Sequence, residues 1–297
     1  MKQLLAIAAF ALAALPAAAQ QDFSKVEIKT TKLTGSTYML TGAGGNIGLS
    51  VGEDAVFVID DQFAPLTPKI TAAIAAITPK PVKFVLNTHW HFDHTGGNEN
   101  LGKAGAIIVA HDNVRKRMST EQVIEFINMR TKPDPKVALP VLTFSADMSF
   151  HLNGEELRAI HMPNAHTDGD AVVHFTGSDV IHMGDIYFNG FYPFIDFESG
   201  GSPDGIVAAC DKVLKIVTDK TRIIPGHGPL SNAAELKAYR DMVATVSGRV
   251  KALVSQGKTL DDIKAAKVSA DYDEKWGKGF IKPERFAEML ARALAKR

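Results

Sequence analysis

Apolar and polar positions alternate along this chain in short runs, most of which stop on a polar residue. Residues 36–40 and 47–51 read as two strands of a hairpin, joined by the glycine-rich Thr41-Gly42-Ala43-Gly44-Gly45-Asn46. Its tip is expected to be mobile, either as a plain turn or as a lid over a substrate. It is not a phosphate cradle, because no Gly-Lys-Ser/Thr ending and no helix come after it. Residues 55–60 form a continuous apolar run closing on Asp60, as in a central strand buried on both faces whose last residue meets a site. Thr67-Pro68 then predicts a helix, by N-cap and first-turn preference, with Ile70, Ile74 and Ile77 toward the core. A strand over 82–86 completes a strand-helix-strand crossover, which puts Asp60 and the residues just after Leu86 at one edge of a sheet.

Further on, 106–110 is a short strand, 112–130 reads as helix and 131–140, with three prolines, as loop. Strands over 148–152 and 156–162 flank the hairpin turn Asn153-Gly154, and strands over 171–175 and 180–182 come next. Ser202-Pro203 opens a helix whose apolar face contains Cys210, a core residue by that placement. Residues 222–224 are a strand. Helices fill the rest: one with Asn232 and Glu235 as a capping box, one from Thr259 and one from Pro283. This C-terminal extension, 231–297, reads as packing.

The first residues change the picture of where the chain works. Lys2, the apolar 4–15 and Ala17-Ala18-Ala19 have the layout of a removable signal peptide over 1–19, with an uncleaved anchor as the alternative. That leaves 20–297 as a single domain, expected in the periplasm or secreted and off the membrane after cleavage. Lys and Arg total 33 against 33 Asp and Glu, with no basic cluster, so a small-molecule substrate is expected and no nucleic acid. Oligomeric state is left open. The single Cys210 excludes an intramolecular disulfide.

Candidate chemistry concentrates after the strand at 82–86, in Asn87-Thr88-His89-Trp90-His91-Phe92-Asp93-His94. Three imidazoles and a carboxylate on one loop are costly to desolvate without a cation, and nitrogen with oxygen donors suits zinc. His166 leads a later turn, Asp185 closes the strand at 180–182 after Gly184, and His227 sits in Gly226-His227-Gly228 after another strand. Each is delivered at a strand end. His111 is read as structural or surface. His151, His161, His174 and His182 have no assignment, the last three being expected as satisfied core histidines.

His89-x-His91-x-Asp93-His94, then His166, Gly184-Asp185 and Gly226-His227-Gly228, in that order, resembles the metallo-β-lactamase superfamily of zinc hydrolases. The resemblance covers most of the chain from Ser36 to His227. It implies an α/β fold, an αββα four-layer sandwich of two mixed β-sheets flanked by helices. It also implies two zinc ions per chain: His89, His91 and His166 on the first, Asp93, His94 and His227 on the second, and Asp185 bridging. A water activated between them would attack a carbonyl, with Asp93 helping to move its proton. Asp60 matches the family's aspartate that hydrogen-bonds a ligand imidazole.

For the substrate, the resemblance places β-lactam hydrolysis first and a lactonase or glyoxalase II-like thioesterase second. A non-catalytic exported zinc-binding protein is the contrasting class. Departures weaken the β-lactam reading. Phe188 stands where the cysteine-bearing subclass has a lysine, no Gly-Asn motif occurs in 197–201, and a bridging aspartate is typical of the thioesterases and lactonases.

Overall fold

The computed structural model describes residues 22–295, so the predicted signal peptide lies outside the described residues. In chain order the strands are β1 (Lys29–Lys32), β2 (Thr37–Thr41), β3 (Ile47–Val51), β4 (Val56–Ile59), β5 (Val82–Leu86), β6 (Ile107–His111), β7 (Gln122–Ile124), β8 (Met129–Thr131), β9 (Leu142–Phe144), β10 (Asp147–Leu152), β11 (Glu155–His161), β12 (Ala171–Phe175), β13 (Val180–His182) and β14 (Arg222–Ile224). The helices are α1 (Thr67–Ala75), α2 (Phe92–Thr95), α3 (Asn98–Lys103), α4 (Asp112–Met118), α5 (Pro203–Leu214), α6 (Ala233–Ser255), α7 (Leu260–Ala265), α8 (Asp273–Trp276) and α9 (Pro283–Ala295).

Of the two large sheets, one has seven strands in the order β1-β2-β3-β4-β5-β6-β9 and the other five in the order β10-β11-β12-β13-β14, with β7-β8 a separate two-stranded ribbon. Both are mixed. The first turns parallel from β4 onward and the second only at β14. Alternation along the central strands explains the layering. Phe57 and Ile59 of β4 join Val173 and Phe175 of β12 in an apolar layer between the sheets, while Val56 and Val58 face α1 and α3. Val172 and Ile181 turn the other way, onto α5, α6 and α9. Helix, sheet, sheet, helix is thus the order of layers, and the expected αββα sandwich is present. Among the described residues no helix is long and apolar enough to cross a membrane.

Local expectations differ in four places. The helix expected over 112–130 stops at Met118, and β7 and β8 pair antiparallel beyond it. Asn128, in the left-handed region at φ 52°, turns that hairpin, a conformation asparagine tolerates better than most residues. Thr67 is not an N-cap; Leu66, at the end of a 3-10 turn, precedes α1 and makes no capping bond. At α6, Asn232 accepts from the Glu235 N–H, but Glu235 spends its carboxylate on Ser231 Oγ, leaving the box half-formed. Finally, the glycine-rich tip is tied down. Asn46 Nδ2 donates to the carbonyls of Pro225 and Gly228, both at 2.9 Å, and Gly45 N to that of Asp93 at 3.1 Å.

Candidate metal centre

The parallel crossovers bring the C-terminal ends of β4 and β5 side by side, and the bonding of Asp60 sets the path of the loop beyond them. Its φ of 62° lies in the left-handed region, a strain of about 1–3 kcal/mol. Four hydrogen bonds hold it there. Its N–H donates to Leu86 O, and its carboxylate accepts from Thr88 N, Thr88 Oγ1 and His94 Nδ1, the last three each at 2.7 Å. Asp60 therefore shapes the loop after β5 and orients one imidazole, the role expected from the sequence.

Two groups of side chains converge above it: His89, His91, His166 and Asp185, and beside them Asp93, His94 and His227. Within each group the candidate donor atoms lie within 4.8 Å of one another. Asp185 faces both. Its Oδ2 is 3.8 Å from His89 Nε2 and 3.7 Å from His166 Nε2, while its Oδ1 is 3.0 Å from His94 Nε2 and 3.3 Å from His227 Nε2. Every ligand residue expected from the sequence is in this assembly. The first group is buried and reaches a cleft only through His91 and Asp185, whereas the side chains of Asp93 and His227 keep 18% and 26% exposure and open the second group to it.

The imidazoles are oriented by their outer nitrogens. His91 Nε2 donates to Asp196 Oδ2 at 3.0 Å, His94 Nδ1 to Asp60, and His166 Nδ1 to the Phe194 carbonyl at 2.8 Å. Thr88 Oγ1 gives its hydrogen to Asp60, so it accepts from His89 Nδ1 at 3.0 Å. Carbonyls and carboxylates only accept, which places a hydrogen on each outer nitrogen and, in a neutral ring, leaves a lone pair on the inner one. His91 Nδ1 and His166 Nε2 consequently point lone pairs at each other across 2.9 Å. His89 Nε2 is buried with no hydrogen-bond partner. A cation is the group that satisfies converging acceptors of this kind, and the imidazole and carboxylate set fits zinc.

The charge balance agrees. Burial, with His94 nearby, pushes His89 well below the ordinary histidine value, and burial with His91 takes His166 down to about 4, so both rings stay neutral as ligands must. Burial opposes charge on His94 and His227 too, but the carboxylates around them outweigh it. Asp185, Asp93 and Asp60 raise His94 well above its usual value, and Asp185 and Asp93 bring His227 up to about 9. These carboxylates call for a positive charge in the second group, whether proton or metal.

Glycines let the loops close in. A methyl group on Gly45 would overlap the His94 ring, and one on Gly226 would overlap Asp185 Oδ1. His182 acts between them, Nε2 donating to Asn46 O and Nδ1 accepting from Gly184 N. Of the other unassigned histidines, His161 and His174 are only half-buried and His151 is exposed, so His182 alone is the fully buried one. His111 is buried and structural, capping α4 by accepting from Asn113 N and stacking on His161 at 3.7 Å. Cys210 is buried in the core, as expected.

Sequence reasoning missed Asp196, which lies 105 residues from His91 in a loop with no motif. It missed Thr88 too, although that hydroxyl stands beside His89 in the cluster itself. Phe188, at the position compared with the lysine of the cysteine-bearing subclass, stacks on His227 at 5.1 Å and puts a phenyl ring there in place of a charge.

The sequence profile of the Metallo-beta-lactamase superfamily matches residues 40–227. A hydroxyacylglutathione hydrolase from Polaromonas sp. is 26% identical over 73% of this chain and 74% of its own length. An acyl-coenzyme A thioesterase from Gallus gallus is 24% identical over 53% of this chain and 60% of its own. Among solved structures, a metallo-beta-lactamase from Pontibacter korlensis superposes with a TM-score of 0.59 at 18% identity, over 73% of this chain and 99% of that one. A double mutant of the sec-alkyl sulfatase PisA1 gives 0.68 at 17%, over 89% of this chain and 50% of that one. At such identities these structures speak for the fold alone.

Proposed function

The chain belongs to the Metallo-beta-lactamase superfamily and is a hydrolase of that group, and we propose that it is a dinuclear zinc enzyme cleaving a thioester or lactone with water. The observation that carries this reading is Asp185, whose two oxygens face two separate ligand groups at the floor of one open cleft. His89, His91 and His166 would hold one zinc ion, Asp93, His94 and His227 the other, with Asp185 shared. Bound there, zinc supplies a water of lowered pKa and a Lewis acid for the carbonyl.

The chain's own residues do the rest. Asp60, Thr88, Asp196 and the Phe194 carbonyl keep the imidazoles in the ligating tautomer. Asp93, with Oδ2 at the floor of the cleft and 3.3 Å from His227 Nε2, is placed to accept the proton of the attacking water and pass it to the leaving group. Phe188 and Phe194 pack against His227 and His91 and exclude bulk water from the reacting bond.

Two observations support thioester or lactone over β-lactam. Two curated relatives are, by name, hydrolases of acylated thiols. Among the described residues, no lysine or arginine lines the cleft to hold an antibiotic's carboxylate. β-Lactam hydrolysis, first on sequence grounds, becomes the second reading. A non-catalytic zinc protein fits less well, since a structural site closes its ligand shell and this one opens to a cleft. We propose export as well, on the layout of residues 1–19, to be checked by N-terminal sequencing of the mature protein.

The test is a hydrolysis panel on zinc-loaded protein: N-acetylcysteamine thioesters, an N-acyl-homoserine lactone and a chromogenic cephalosporin. A thioester or lactone is expected to exceed the cephalosporin in kcat/KM by about 100-fold, or about 2.7 kcal/mol in the barrier. The reverse order would put β-lactams first, and no turnover of any of them would leave the non-catalytic class.

A further inference from the structure

The cleft above the ligand groups encloses about 530 Å³, within the range of sites for small molecules. Its floor is made by His91, Asp93, Asp185 and His227, and every other residue lining it is aromatic, aliphatic or glycine. The one hydroxyl among these, on Tyr192, is occupied by Asp273 and the Ser269 carbonyl. A substrate portion lying here meets neither a charged side chain nor a free side-chain donor until it reaches the floor. A glutathione-like or phosphate-bearing moiety would leave its charges unpaired against these walls, at a cost apolar contact does not repay.

Three segments far apart in sequence make the walls: the β7–β8 hairpin, the loop between β13 and α5, and residues 279–281 ahead of α9. Helix α9 fastens the first to the third. The Arg285 guanidinium lies 4.0 Å over the Phe126 ring and donates to the Phe126 carbonyl, while Glu198 accepts from the Phe126 N–H. The helical extension, read from sequence as packing alone, therefore builds one side of the cleft. At the rim Phe280 is 77% exposed and Phe92, packed on Phe63, 45%, so two phenyl rings at the mouth keep open faces. Large exposed aromatics beside an apolar cleft are surface that a ligand can cover.

We propose that this cleft is an acyl-chain subsite, taking the uncharged, apolar acyl group of the substrate while the charged or polar leaving group stays outside, and that Phe280 determines chain-length selectivity. The bond to be cleaved rests on the thioester-or-lactone reading above, whereas binding of the chain does not. Each methylene buried along the walls favours the longer substrate. The acyl carbonyl then lies over Asp93 and Asp185, with the alkyl end toward Ile124 and Phe280.

A series of acetyl, butyryl, hexanoyl and octanoyl N-acetylcysteamine thioesters tests this on the zinc-loaded full chain. kcat/KM is expected to rise about 4-fold per methylene. Phe280→Ala, at an exposed position that does not threaten folding, should lower the octanoyl-to-acetyl ratio about 10-fold. In parallel, calorimetry compares S-methyl and S-octyl thioethers of N-acetylcysteamine, which cannot be hydrolysed. Tighter binding of the octyl ligand with a negative heat-capacity change supports the subsite even where no thioester turns over. Turnover without chain-length dependence, or equal affinity for the two thioethers, overturns the subsite while leaving the hydrolase reading in place.

Discussion

Asp196 carries a burden that no local pattern announces: across 105 residues it fixes the ring of His91 through a 3.0 Å bond to Nε2. Burial raises its pKa, but the bond to His91 outweighs that and keeps it below the ordinary aspartate range, so it remains a carboxylate. Removing it in Asp196→Ala frees the imidazole to rotate and to change tautomer. Affinity of the first ligand group for zinc should fall about 10- to 100-fold, measured by competition with a chromogenic chelator, and an unchanged affinity would mean that packing alone orients the ring. The candidate ligands were legible because they are local, with four in the six residues from His89 to His94 and the others each at a strand end. Asp60 was legible for the same reason, as the polar end of an apolar strand. Asp196 and the Phe194 carbonyl were not, because only the folded loop after β13 brings them to the histidines.

Helix α9 ties the C-terminal extension to the cleft, and its anchor is Glu288. This nearly buried carboxylate accepts from Lys264 and Arg285, each at 3.2 Å, and from Arg292 at 2.7 Å. Burial raises its pKa, but Lys264 and then the two arginines outweigh that and hold it below the usual glutamate value of 4.5. The unfolded chain therefore binds this proton more readily than the folded one. The stabilisation is complete above about pH 4.5 and is lost as pH falls through the lower folded value. Glu288→Gln should cost about 1–3 kcal/mol at pH 7, read from thermal melts, and the gap from wild type should narrow near pH 3. A gap constant with pH would assign the loss to packing. The β7–β8 hairpin is the element the sequence hid. Its residues alternate like a mixed helix, and the deciding features, the left-handed Asn128 and the grip of Arg285 on Phe126, belong to tertiary structure.

At the scale of the molecule, the two sheets were foreshadowed by apolar runs and their breakers, while the cleft was not, since it is assembled from three distant segments. The same layers that make the fold also bury a candidate ligand set in which the inner nitrogens of His89, His91 and His166 converge as acceptors. Metal binding should therefore support the whole structure as well as the chemistry. Zinc at about 1,000 times its Kd adds about 4 kcal/mol, so chelation should lower Tm by about 10 °C in a protein of this size, and calorimetry with and without chelator checks it. An unmoved Tm would mean that the ligand groups do not hold metal in solution. The most direct test of the central claim is a titration of zinc into metal-free protein, following thioester hydrolysis against zinc bound per chain. Activity that climbs with zinc and levels off at two ions per chain is the predicted result; a rate indifferent to zinc, or two bound ions without turnover of any thioester or lactone, would contradict it.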